Sequence, residues 1–226
     1  MRKGMKNRPV KLNNTGSAIV TVIVVVTFIS ILATTILYMS NMNLFMKTTD
    51  LRAKQSFYEG EVALEEIKAA LMEEASEACE AAYKEVLLNY AALDEGTKYV
   101  LFQNKFLEVL KEKWQARMKV CAQEKGVEEP NYLVLLQDIV DVKYEDAILL
   151  ESVENAGNVV IDPARGCAFV RGVTLTYTDA AGYTTVISTD YLIKVPDMNW
   201  DLTSDSAVRN DVEISECVQY YNWVKK

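Results

Sequence analysis

The strongest pattern in the chain comes near its start. Residues 12–46 carry no charge, and residues 18–37 read AIVTVIVVVTFISILATTIL. Twenty residues at the α-helical rise span about 30 Å, the thickness of a bilayer's hydrocarbon core. β-Branched residues weakly disfavour helix in water, but in lipid the backbone must bond to itself, so the segment is expected to be helical. Past it, residues 51–94 show a second helical pattern, with Leu64, Ile67 and Leu71, then Cys79, Tyr83, Val86 and Tyr90 on one stripe. Asp94-Glu95-Gly96 reads as the stop, with Gly96 as a left-handed C-cap and Thr97 capping a second helix to about Gln123. In that helix Phe102, Phe106, Leu110, Trp114 and Met118 recur every four residues, and Gly126 and Pro130 close it. A short loop between two amphipathic helices predicts an antiparallel hairpin with the aromatic stripe in its core. Gly60, inside the first helix, is expected to weaken it by about 1 kcal/mol.

Beyond Pro130 the period changes. The apolar runs at 132–136 and 139–142 read as strands. Residues 167–178, CAFVRGVTLTYT, place Cys167, Phe169, Val173, Leu175 and Tyr177 on odd positions, with Arg171 the exception. Residues 183–195 place Ile187, Tyr191, Ile193 and Val195 on odd positions. Period two in both runs predicts two strands, each with one buried face. The odd sets must oppose each other, which requires a three-residue loop, Ala180-Ala181-Gly182, with Gly182 left-handed. That loop predicts Leu175 opposite Ile187 and Tyr177 opposite Thr185. In the tail, Val212, Ile214, Val218 and Tyr220 alternate and favour a final strand over a short helix.

Charge divides the chain. Arg2, Lys3, Lys6, Arg8 and Lys11 precede the apolar segment with no acid among them. Of 24 basic and 32 acidic residues overall, this leaves 19 basic against 32 acidic after residue 16, a body of −13. A basic flank before an apolar span holds the N-terminus in the cytoplasm and sends the rest across the membrane. An acidic body does not suit nucleic acid, whose phosphates need a basic surface.

A glycine, Gly16, stands directly between the basic leader and the apolar segment. This arrangement resembles a type IV prepilin, whose short basic leader ends in glycine and is removed on the cytoplasmic side by a prepilin peptidase. The resemblance implies cleavage after Gly16 and an N-methylated mature N-terminus at Ser17. A second stretch, residues 51–71, LRAKQSFYEGEVALEEIKAAL, is similar to the Phe-x-Ala-Ala-Glu-Ala-Ala-Leu run of PilX-type minor pilins. Phe57, Glu61, Ala63 and Leu64 fall on matching positions, while Glu59, Gly60 and Val62 depart from it. Major pilins carry glutamate five residues into the mature chain, and here that position is Thr21. An unpaired glutamate would be costly in lipid. Its replacement eases membrane residence, removes a docking charge and argues for a minor subunit.

Within the span, Thr27, Ser30 and Thr34 share one helix face. Their hydroxyls either bond back to their own carbonyls or reach a neighbouring helix, where each contributes about 1 kcal/mol or less. Four cysteines lie in the exported part. Cys79 and Cys121 sit at unequal distances from the turn near Gly96, a mismatch of about 12 Å along the helix axes, too far to bridge. Cys167 and Cys217 can bridge if their strands are neighbours; otherwise the thiols are small buried hydrophobes. Asp197, Asp201, Asp205 and Asp211, with Asn199 and Asn210, have calcium-compatible chemistry but no EF-hand spacing, so a solvated loop is expected.

The chain has no histidine, which excludes Ser-His-Asp and Cys-His catalysis and His-ligated metals. It lacks CxxC pairs, a P-loop and the GxGxxG and GxSxG motifs. No enzyme, cofactor or metal is expected. The expected fold is α+β, in which a long N-terminal transmembrane helix continues into a helical hairpin packed on a C-terminal antiparallel sheet, as in pilins. Its parts would be a cytoplasmic leader (1–16), a transmembrane helix (17–45), an exported helical region (46–126) and a β-rich domain (127–226). The resemblance implies a minor pilin or pseudopilin whose partners are the bilayer, the peptidase, other pilin subunits and the assembly machinery. The alternative is a single-pass, signal-anchored envelope protein with an external binding domain.

Overall fold

The computed structural model describes residues 14–126, 132–144, 147–152, 159–198 and 214–225. Contacts divide the chain into two units, one ending at Leu51 and one beginning at Arg52. Helix α1 (Asn14–Leu88) contributes to both. In the second unit a 3₁₀ turn (Tyr90–Ala92) leads to α2 (Glu95–Lys125) and α3 (Tyr132–Tyr144). There follow β1 (Ile148–Ser152), β2 (Val159–Asp162), β3 (Cys167–Thr178) and β4 (Thr184–Lys194). The four-residue turn of helix α4 (Ile214–Cys217) runs directly into β5 (Val218–Lys225). The fold is thus α+β, with a long apolar N-terminal helix, further helices and an antiparallel five-stranded sheet.

The chain between Leu88 and Glu95 turns differently from the sequence expectation. α1 stops at Leu88, and Asp94, not Thr97, occupies the extended N-cap position of α2. Gly96 lies in the first turn of α2 instead of capping α1. Thr97 instead hydrogen-bonds the exposed Asp94 carboxylate and holds its pKa below the usual value. At the other end Gly126 does cap α2, with φ 67° and its N–H bonded to the Gln123 carbonyl.

Residues 132–142 are a helix, not strands. Tyr132, Leu135, Leu136 and Val140 are buried and Ile139 packs beside them, the i, i+3, i+4, i+7, i+8 stripe of an amphipathic helix. Gln137 fastens α3 to β1, donating to the Ile148 carbonyl and accepting from the Leu150 N–H at 2.9 Å each.

The β3–β4 hairpin has the expected register, Leu175 opposite Ile187 and Tyr177 opposite Thr185. Gly182 has φ 82°, and its N–H donates to the Asp179 carbonyl at 2.9 Å. The parity of β3 is broken, however, by a bulge between Val170 and Val173. Before the bulge Ala168 and Val170 face the core; after it Val173 and Leu175 do. Phe169, expected beside Leu175, therefore lies on the other face, 6.2 Å from the Tyr221 ring. β1 and β2 both pair with β3, and β5 pairs with β4, so the sheet runs β1-β3-β4-β5 with β2 beside β3. In the tail, the chain makes a turn of helix through Cys217 and only then the strand; Val212 lies outside the described residues.

Helices and sheet of the second unit share one core. Ala63, Leu64, Ile67 and Leu71 of α1, Phe102, Phe106, Leu110 and Trp114 of α2, and Leu175, Ile187, Tyr191 and Ile193 of the sheet belong to it. α1 lies close on the sheet at Gly60, where an added Cβ would come within 3.1 Å of Ile187 Cδ1 and 3.4 Å of Leu175 Cδ2. The Tyr191 hydroxyl donates to the Leu64 carbonyl at 3.1 Å, and Ser56 and Thr185 share a buried hydrogen bond at 2.9 Å. Between α1 and α2, the buried Glu74 carboxylate accepts from Trp114 Nε1 and Arg117, and Lys113 pairs with Glu77.

Candidate membrane span and packing surfaces

The first unit presents one feature of functional weight. From Ala18 through Thr48 every residue of α1 is exposed, including Ile19, Ile23, Val26, Phe28, Ile31 and Leu37 at 46% or more. The most apolar window has a mean hydropathy of 2.7. An apolar helix with no face turned into its own fold is long enough to cross a bilayer. A buried core helix of similar composition would spend its surface on its own protein; this one does not.

Four hydroxyls on this helix are satisfied locally. Thr27 Oγ1 donates to the Ile23 carbonyl, Ser30 Oγ to Val26, Thr34 Oγ1 to Ser30 and Thr35 Oγ1 to Ile31, each at 2.8 Å. Each proton is used within the helix, so these side chains are compatible with hydrocarbon, with no orphaned donor among them. The cross-helix donor role considered for Thr27, Ser30 and Thr34 is therefore not how these protons are used here. What they leave on the surface is small bulk, which lets another helix approach. Thr21 lies on the same exposed stretch. Gly16 and Ser17 lie within α1, near its start.

The motif residues further along α1 face inward to different degrees. Leu64 is fully buried beneath the sheet of the same chain. Phe57 is half-buried, with Lys225 Nζ 4.2 Å over its ring. Glu61 is half-buried beside Tyr220, whose hydroxyl is pushed up chiefly by burial and then by the Glu65 and Glu61 carboxylates. Leu64 and Phe57 thus pack within the body.

The two cysteines considered for a bridge are both buried and not bridged to each other, and the sheet keeps them apart. Cys167 opposes Lys194 on β4, while Val218, next to Cys217, opposes Ile193 from the far side of β4. Two strand spacings come to about 10 Å, beyond the roughly 7 Å that a disulfide tolerates between Cα atoms. Asp197 is described and exposed, whereas Asp201, Asp205, Asp211, Asn199 and Asn210 lie outside the described residues. Among the described residues no group of three or more His, Cys, Asp or Glu side chains could hold a metal ion. An open cleft of about 500 Å³ lies between α2 and β2, lined by Asn104, Leu107, Lys111, Val159, Ile161 and Pro163.

No family model, no curated protein and no solved structure matches this chain.

Proposed function

We propose that this chain is a minor, PilX-like subunit of a type IV pilus-like filament, made as a membrane-inserted precursor and processed after Gly16. The observation that carries this reading is the division of labour along α1. One helix supplies an exposed, uncharged apolar surface over residues 18–46 and then Leu64, Ile67 and Leu71 of the body's core. A subunit that first resides in lipid and later packs in a filament needs such a surface, since both environments reward the same apolar side chains. Removal of the five leader charges would let the helix leave the bilayer. In this scheme the acidic body lies outside the cytoplasm and faces solvent.

A second reading is a signal-anchored envelope protein with an external binding domain. The full burial of Leu64 favours it, because the motif's packing is then explained without a filament.

Replacing Gly16 with leucine in the native host separates the two. The pilin reading expects the natural chain in a sheared-filament fraction at mature length, and the Gly16→Leu chain in membranes at precursor length. Both chains remaining in membranes at precursor length would support the anchored protein.

A further inference from the structure

Two of the four cysteines lie on the same seam of the body. β5 follows one flank of α1 in the opposite direction. Lys225 Nζ lies 4.2 Å over the Phe57 ring, and Lys68 Nζ lies 4.9 Å over the Tyr220 ring. From Phe57 to Lys68 the helix rises about 16 Å, and five residues of strand cover about the same distance. Eleven further residues, three helical turns, bring α1 back to nearly the same flank at Cys79, about 16 Å further along, of which the three residues from Tyr220 to Cys217 cover about 10 Å. Following β5 backward past Tyr220 leads to Val218 and then Cys217. Val218 sits in the same core cluster as Cys79, paired with Ile193. Cys79 is 8% exposed and Cys217 4%. Burial pushes the Cys217 thiol up to about 11, and after burial its neighbour Cys79 contributes ahead of Glu216. The other two cysteines have different company. Cys121 Sγ lies 3.7 Å from Asp138 Oδ2, and Cys167 lies near Asp162, Arg165 and Lys194.

We propose that Cys79 and Cys217 are a bridging pair, closed to a disulfide that ties α1 to the start of the edge strand β5. Among the described residues β5 is paired on one side only, with β4, so a covalent tie at its first residues would hold that edge to the helix. The oxidant is a disulfide, either of an exchange protein or of glutathione. One cysteine's thiolate attacks it, forming a mixed disulfide and releasing a thiol. The second cysteine's thiolate then attacks the first sulfur and displaces the other thiol. Two electrons pass to the oxidant, and the two cysteine protons end on its two released thiols. The bridge's presence in the cell rests on the reading that the body is exported, but the pairing itself does not.

The test has two arms on the full-length chain in detergent. In the first, chain from native membranes is acid-quenched, denatured and blocked with N-ethylmaleimide, so that burial cannot imitate a bond, and its peptides are mapped. A linked Cys79–Cys217 peptide that separates on reduction is expected, with maleimide on Cys121 and Cys167. In the second, reduced folded chain is incubated with glutathione disulfide and mapped in the same way, beside Cys79→Ser and Cys121→Ser variants. The bond is expected in the natural chain and in Cys121→Ser, and absent in Cys79→Ser. A bond formed in the second arm alone supports the pair and counts against export. Maleimide on all four cysteines after glutathione disulfide, or a link between any other two, overturns the pairing wherever the body resides.

Discussion

Gly60 on α1 faces Ile187 on β4 so closely that a side chain there would crowd it: an added Cβ would lie 3.1 Å from Ile187 Cδ1, which would have to give by a few tenths of an ångström. Ile187 is fully buried, and its cross-strand partner Leu175 closes the other side. Alanine at 60 would gain about 1 kcal/mol of helix propensity, but overpacking a filled core costs about 1–3 kcal/mol. Gly60→Ala is therefore expected to lower stability by about 1 kcal/mol in urea titrations of the detergent-solubilised chain followed by tryptophan fluorescence. Ile187→Val, which removes the crowded Cδ1, should cost about 1 kcal/mol alone and close to nothing beside Gly60→Ala. Simple additivity of the two changes would show that the close approach carries no energy.

Asp190 links the irregularities of two strands. One carboxylate oxygen accepts from the Gly172 N–H at 2.7 Å, in the β3 bulge, and the other accepts from Asn222 Nδ2 at 2.9 Å, where β5 slips its register. Both partners have positive φ, 70° and 55°. Asp190→Ala should cost about 2 kcal/mol, since it removes two hydrogen bonds to a charged acceptor. Asp190→Asn, which keeps one acceptor oxygen, should cost less. Equal and negligible losses in the two variants, read from urea midpoints, would contradict this role.

Alkaline pH should weaken the body. Tyr191 and Tyr132 are held above the usual tyrosine value of 10.0 chiefly by burial. An unfolded tyrosine ionises near pH 10 while its folded counterpart keeps the proton, so the unfolded state is favoured as pH rises past 10. Stability from these groups is fully present below that pH and declines above it. The urea midpoint is expected to fall between pH 9 and pH 11, and Tyr191→Phe should make the fall shallower. An unchanged slope in Tyr191→Phe would remove Tyr191 from the account.

What the sequence made legible follows from how many alternatives each local pattern excludes. The β3–β4 register was readable because parity and Gly182 admit one loop length. The apolar face of residues 18–37 was readable because its length has few other uses. Residues 132–142 were misread because a short apolar run fits either period, although Tyr132, Leu135, Leu136, Ile139 and Val140 already held the helical spacing. Arg171-Gly172 was the visible trace of the bulge, a parity exception beside a glycine inside a strand. The close approach at Gly60 was not legible locally, since the atoms that require it come from residues 175 and 187. Nor was the separation of Cys167 from Cys217, which depends on β4 lying between them.

The central claim is tested most directly at the mature N-terminus. Intact mass and N-terminal peptide mapping of the chain from its native host should give a polypeptide beginning at N-methylated Ser17. A chain that still carries the basic residues before Gly16 would contradict processing as a prepilin, and the account of α1 as a filament helix with it.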